Sequence, residues 1–314
     1  MITEKSMRKR ENRFLKGCVV LCVILILAVA AGLAGLFRGS VSTVKERTAS
    51  SAEQPVFQEV EIPAEEVAEK FYYSTLSEEE QQVYQAVLQG VRNNSETINV
   101  EMTDAKRVNQ IYEFVLNDFP DIFWCSGAAE TTAYQIPGGG YSEFCPEYTY
   151  EGEQKEQMQA QIEAEAEAIL GAADVSQIDP EYDRIRYVYE YVIRSVDYVE
   201  NASDSQNLYS ALVNKESVCA GYARETQYLL ERLGVFCTYV TGTTRGQPHA
   251  WNLVRCDGNY YYVDTTWGDP VFLQTDGGSI PEEQQIQYDY LCCSEQELFR
   301  THELDADVTF PSCT

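Results

Sequence analysis

The residues best suited to chemistry lie between Ser217 and Pro270, where Cys219, His249 and Asp264 follow one another. In that order they supply a nucleophile, a base and a group that orients the base, a set able to attack a carbonyl carbon. Cys219 sits in Val218-Cys219-Ala220-Gly221-Tyr222, which leads into ARETQYLLERLG with Tyr222, Thr226, Leu229 and Leu233 at helical spacing and Gly234 as a stop. Cys219 therefore opens a helix, where unpaired backbone N–H groups and the dipole favour negative charge and lower a thiol's pKa. Taken alone, a cysteine there reads more readily as a small buried packing residue.

The residues downstream of this helix bear on that choice. Phe236 to Thr241 reads as a strand, and a Gly-containing loop then brings His249-Ala250-Trp251-Asn252-Leu253-Val254, a turn at Asp257-Gly258, and Tyr260-Tyr261-Tyr262-Val263-Asp264. With a two-residue Asp-Gly turn, Asp264 lies opposite Trp251, and His249 is one diagonal step away on the same face. A three-residue loop would instead put Asp264 opposite Asn252 on the other face, unless a bulge restores the register. The second histidine, His302, falls in the polar run Arg300-Thr301-His302-Glu303 and is expected at the surface. His249 must then carry any imidazole chemistry.

VCAGYARETQYLLERLG, PHAWNLV and DGNYYYVDTTWGDP closely resemble, in order and spacing, the three core motifs of transglutaminase-like domains. The likeness covers about residues 180–314, and YDYLCCSEQELFRTH resembles the ending of bacterial membrane-anchored members. It implies an α+β fold related to papain-type cysteine proteases, with a nucleophile helix packed on an antiparallel sheet. By motif, Cys219 would be the nucleophile, His249 the general base and acid, and Asp264 the group that fixes the imidazole tautomer. Gln206 or Tyr209 would add an oxyanion donor to the nucleophile's own N–H, and Trp251 and Trp267 would wall the cleft or fill the core.

The implied reaction is acyl transfer from an amide through a thioester, to water in a peptidase or amidase and to an amine in a cross-linking transferase. Hydrolysis of peptides or exported proteins, wall peptides among them, is the preferred expectation. A transglutaminase-like fold kept as a binding module is the alternative, and the presence of all three residues counts against it. No cofactor is required. Without a C-x-x-C and with two histidines in the chain, a structural zinc site is not expected.

The elements around the site are less distinct. Ser77-Glu78-Glu79-Glu80 has the form of a capping box, followed by Val83, Tyr84, Val87, Leu88 and Val91 at helical spacing. Asp104 caps a second helix with Val108, Ile111, Tyr112 and Val115 on one face, closed by Pro120. Between Ile122 and Tyr150, short aromatic and β-branched runs broken by Pro137-Gly138-Gly139-Gly140 read as a small hairpin. Glu151 to Leu170 is a Glu-, Gln- and Ala-rich helix, and Asp179-Pro180 starts another with Ile185, Val188, Tyr189 and Val192 inward.

Charge and hydropathy place the body of the chain. Over 314 residues, 50 acidic side chains face 23 basic ones, a net charge near -27 that speaks against phosphate neutralisation and nucleic-acid binding. Gly17 to Phe37 runs 21 residues without a charge, enough to cross a hydrocarbon layer of roughly 30 Å. Lys5, Arg8, Lys9, Arg10, Arg13 and Lys16 precede it, which puts residues 1–16 in the cytoplasm and the rest outside. A cleaved signal peptide is the alternative, although its apolar region is ordinarily shorter. The expected order is a basic tail (1–16), a membrane span (17–37), a linker (38–74), an N-terminal α/β region of unknown role (75–175) and the catalytic domain (176–314). In such an exported body, Cys125 with Cys145 and Cys292 or Cys293 with Cys313 are candidate bridges.

Overall fold

A computed structural model describes residues 42–48, 55–136, 138–171, 180–269, 286–305 and 307–314. Among these, no helix is long and apolar enough to cross a membrane. The cytoplasmic tail and the span expected at 17–37 lie outside the described residues.

The amino-terminal half is built on two well-capped helices. In α1 (Glu78–Arg92), Ser77 and Glu80 form the reciprocal capping box, and Tyr84, Val87, Leu88 and Val91 are fully buried. In α2 (Ala105–Asp118), the Asp104 carboxylate accepts from the N–H groups of Lys106 and Arg107, both at 3.1 Å. Both helices pack together and α2 lies on a four-stranded sheet of order β1-β3-β4-β2. Its strands are β1 (Thr43–Thr48), β2 (Ile98–Val100), β3 (Cys125–Ile136) and β4 (Gly139–Tyr148), with β1 parallel to β3. The hairpin read as small is thus two long strands.

The segment expected as a tether is structured in part. It supplies β1 and two short helices, Ala64–Val67 and Phe71–Ser74, from which Val67, Phe71 and Tyr72 enter the core. These apolar residues are too few to show a period, so burial, not local pattern, defines them.

The carboxy-terminal half follows through α3 (Gly152–Gly171), α4 (Glu181–Ser195), α5 (Leu208–Leu212) and α6 (Cys219–Arg232). Helix α6 ends at Gly234, whose φ of 72° favours glycine. The N–H of Val235 there reaches the Leu230 carbonyl, and that of Gly234 the Glu231 carbonyl. Leu229 and Leu230 are fully buried, each contributing about 1.5–3 kcal/mol.

A second sheet has the order β8-β5-β6-β7, all antiparallel, from β5 (Cys237–Thr244), β6 (Gln247–Cys256), β7 (Asn259–Val263) and β8 (His302–Leu304). Strand β5 is longer than the sequence suggested, because the loop before His249 is a tight two-residue turn at Arg245-Gly246, both with positive φ. Helix α6 packs on β5 and β6, and Asn252 locks the contact by donating 2.9 Å to the Ala223 carbonyl.

One core runs through both halves. The Tyr72 hydroxyl donates to the Tyr239 carbonyl (2.8 Å), Arg224 to that of Leu116 (2.6 Å) and Gln227 to that of Asn117 (3.0 Å). The region of unknown role therefore braces the helix that carries Cys219.

The cysteine pairs do not form, and the eight described cysteines are free thiols. The register sets Cys125 opposite Tyr148 and Cys145 opposite Glu130, so they do not face each other. The backbones of Cys293 and Cys313 instead pair with positions two apart on β7, Tyr262 and Tyr260.

Candidate active site

Cys219 is the first residue of α6 and is 1% exposed. Val218 precedes it in extended conformation and makes no side-chain cap. The N–H groups of Gly221 and Tyr222 turn back to the Val218 carbonyl (3.0 and 3.2 Å), and no side chain caps the start of α6, unlike those of α1 and α2. A serine chain holds this corner. Ser217 Oγ donates to the Ser205 carbonyl (2.6 Å), Ser210 Oγ donates to Ser217 Oγ (2.8 Å), and Val218 N–H reaches the same Ser205 carbonyl (3.0 Å). A Cβ on Gly221 would lie 1.9 Å from Ser217 Oγ, so the first turn closes on that serine through a glycine.

His249 and Asp264 are brought together by the hairpin register. Cys256 faces Asn259 across the two-residue turn, with φ of 49° at Asp257 and 81° at Gly258, as a primed turn requires. Asn252 then pairs with Val263, the last residue of β7, and Asp264 follows directly. Asp264 leaves the strand to cap the short helix α7 (Thr265–Gly268), its Oδ1 accepting from Trp267 N–H at 2.9 Å. Its Oδ2 lies 2.7 Å from His249 Nε2. That leaves Nδ1 for the side of Cys219, whose charge acts on the ring.

Burial alone would lower the His249 pKa, but the charges on Asp264 and Cys219 outweigh it and push the imidazole up to about 10. For Asp264, burial would raise the pKa, yet the His249 charge and the hydrogen bonds from His249 and His302 hold it well below the ordinary carboxylate range. Each member of the pair thus favours the charged form of the other.

His302 is not at the surface. It is 1% exposed, and its Nε2 lies 3.0 Å from the same Asp264 Oδ2. A three-residue strand after a long excursion brings it there by pairing with Thr244, a contact with no local signal in the sequence.

The other expected residues divide. Tyr209 gives its hydroxyl to Gln161 of α3 at 2.6 Å, so it is not an oxyanion donor in this arrangement. Gln206 is exposed in a turn whose neighbour Ser205 is bonded to Val218, close along the chain to the start of α6. Trp251 and Trp267 are both buried, each with its ring 5.1 Å from that of His302. Tyr239, absent from the sequence reading, is pushed up to about 12 by burial, with the Cys219 charge adding to it.

Two groups gather atoms of the kind that bind metals: His249, Asp264 and His302, and Glu181, Cys256 and Asp257. In the first, separations of 2.7 and 3.0 Å are those of proton-bridged partners. In the second, Glu181 accepts from the Asp257 N–H at 2.8 Å at an exposed turn. Hydrogen bonding accounts for both, and neither is read as a metal site.

The sequence model of the transglutaminase-like superfamily matches residues 171–265, which hold Cys219, His249 and Asp264. The chain carries a transglutaminase-like domain. Kyphoscoliosis peptidase of Mus musculus and that of Homo sapiens are each 25% identical over 27% of this chain and 16% of their own length. The chain thus spans about a sixth of these curated relatives. A crystal structure of a TGase is 14% identical, with 61% of this chain and 55% of that one covered and a TM-score of 0.32. The matched part of the transglutaminase-like domain ends at Thr265, and His302 lies beyond it.

Proposed function

We propose that this protein is a thiol acyl-transfer enzyme acting on peptide or protein amides, with Cys219, His249 and Asp264 as its catalytic triad. The observation that carries the reading is a buried helix-start cysteine whose charge acts on an imidazole bonded at 2.7 Å to a buried carboxylate. The Cys219 thiolate attacks the amide carbonyl, and the oxyanion is met by N–H groups at the uncapped start of α6. His249 gives its proton to the departing amine as the C–N bond breaks, leaving a thioester. It then takes a proton from the incoming acceptor, and the thiolate is released.

Water as acceptor makes the protein a peptidase or amidase, the principal reading. An amine acceptor, giving a cross-linking transglutaminase, is supported by the burial of Cys219 and His249, 1% and 5% exposed, which keeps water from the sulfur. Placement outside the cell, on a single span at residues 17–37, is part of the proposal and rests on the apolar run and the basic residues before it. Wall peptides and exported proteins then become the accessible substrates.

The test is to incubate the full chain with a peptide library, with and without a primary amine, and to read products by mass spectrometry against Cys219→Ala. New carboxyl ends support hydrolysis, and amine-capped products support the transferase. Products identical to those of Cys219→Ala would overturn the proposal.

A further inference from the structure

A buried imidazole is costly unless both nitrogens find partners. His302 finds two: Nδ1 lies 2.8 Å from Thr301 Oγ1, a hydroxyl that also lies 3.2 Å from the Leu298 carbonyl, and Nε2 lies 3.0 Å from Asp264 Oδ2. An ionised carboxylate accepts and does not donate, so Nε2 carries the proton. Asp264 thereby receives three side-chain or backbone donors, from Trp267, His249 and His302. Its own N–H reaches the Tyr290 carbonyl at 3.0 Å, so the segment from Tyr290 to His302 grips both its backbone and its carboxylate.

The fold makes room for this contact. A Cβ on Gly242 would lie 2.0 Å from the Glu303 carbonyl oxygen, so β8 reaches β5 at a position without a side chain. Thr244 Oγ1 donates to the Thr301 carbonyl at 2.9 Å and fixes the strand just before His302. Around the ring stand Trp251, Trp267 and Tyr290, with the His249 ring 5.3 Å away. An apolar side chain would fill such a box equally well, yet the residue there is one that donates to the oxygen His249 uses.

We propose that His302 is a positioning residue, which holds the Asp264 carboxylate aimed at His249 and so sets the pH range over which Cys219 is a thiolate. This rests on the acyl-transfer reading of the site. The sign comes from sharing one acceptor. Without the His302 donor, Asp264 becomes more basic, it neutralises the His249 imidazolium more fully, and the thiolate beside that imidazolium loses support. Thiol ionisation and imidazole deprotonation both move to higher pH. The other titratable groups facing Asp264 are Tyr189, Tyr198, Tyr290 and Cys293, all raised by burial and uncharged near neutrality. Near the sulfur are Tyr198 and Tyr239, the latter with Arg224 over its ring, and Arg245 lies over Trp267.

The experiment is an ultraviolet titration of the Cys219 thiolate in the full-length chain, with the matching Cys219→Ser protein subtracted. His302→Gln and His302→Met are compared because the two side chains have similar length and only glutamine donates. Methionine is expected to move the midpoint up by about one unit, a roughly tenfold change in proton affinity. Glutamine is expected to stay near the wild type. Coincident midpoints for the two variants would overturn the proposal. If His302→Met does not fold, Thr301→Val decides: a smaller upward shift supports it, and no shift overturns it. A wild-type thiol that ionises like an ordinary cysteine, unchanged by His249→Ala, would instead remove the acyl-transfer reading itself.

Discussion

Asp118 and Asp264 are both buried aspartates that receive three hydrogen bonds, and they are shifted in opposite directions. Asp118, at the end of α2, accepts from the N–H groups of Tyr72 and Tyr73 (3.1 and 2.9 Å) and from the Tyr84 hydroxyl (2.8 Å). All three donors are neutral, and burial outweighs them, pushing its carboxyl up to about 6. Asp264 has one neutral donor in Trp267 N–H, and two imidazoles complete its shell. There the imidazolium charge reverses the outcome, and the carboxyl stays ionised far into acid. Donor number does not set the direction of the shift; the charge of the donors does.

The comparison breaks most sharply by truncation. Asp264→Ala is expected to slow alkylation of Cys219 at neutral pH on the order of 10²-fold, since the imidazole loses its orienting partner. Asp118→Ala is expected to leave that rate within about twofold and to cost about 2–4 kcal/mol of stability, by stranding two backbone N–H groups and a hydroxyl. Alkylation kinetics beside urea unfolding of both variants would check this, and equal rate losses would erase the distinction.

The two carboxylates should also differ in their pH dependence. Asp264, depressed in the folded state, contributes stability above the ordinary carboxylate pKa and loses it as pH falls below that value. Asp118, raised to about 6, does the reverse: the fold binds its proton more tightly, so its contribution declines as pH rises through 6. His249, raised to about 10, contributes fully below its unfolded pKa, about 6.5, and its contribution is lost as pH rises towards 10. Urea unfolding across pH should therefore show the gap between wild type and His249→Gln narrowing from about pH 6.5 upward, whereas a constant gap would contradict the coupling.

Smaller effects sharpen the contrast between scaffold and site. Asn252→Ala should cost about 1–3 kcal/mol by cutting the tie between β6 and α6, with some loss of Cys219 reactivity as the helix loosens. Ser77→Ala should cost about 1 kcal/mol, the worth of one helix cap, and leave reactivity untouched.

The elements legible in the sequence were those with local signals. The start of α6, the Asp257-Gly258 turn and the capping residues Ser77 and Asp104 each declare themselves within a few residues, and from the turn the meeting of His249 with Asp264 follows by counting. The sequence left two registers open, and the structure adopts the two-residue one. Long-range features were hidden. His302 reaches the site through three strand residues and a glycine gap at Gly242, and Tyr209 turns to a helix 48 positions earlier in the chain. Neither placement has a period or a motif, because each depends on which surfaces meet after the core has formed.

The central claim is that Cys219 is an activated thiolate held by His249. The most direct measurement is the rate of Cys219 alkylation by an iodoacetamide probe in the full chain across pH, mapped by mass spectrometry and compared with His249→Ala. Labelling is expected to persist well below the range where ordinary thiols react and to collapse in the variant. Labelling that tracks an ordinary thiol curve and is indifferent to His249 would contradict it.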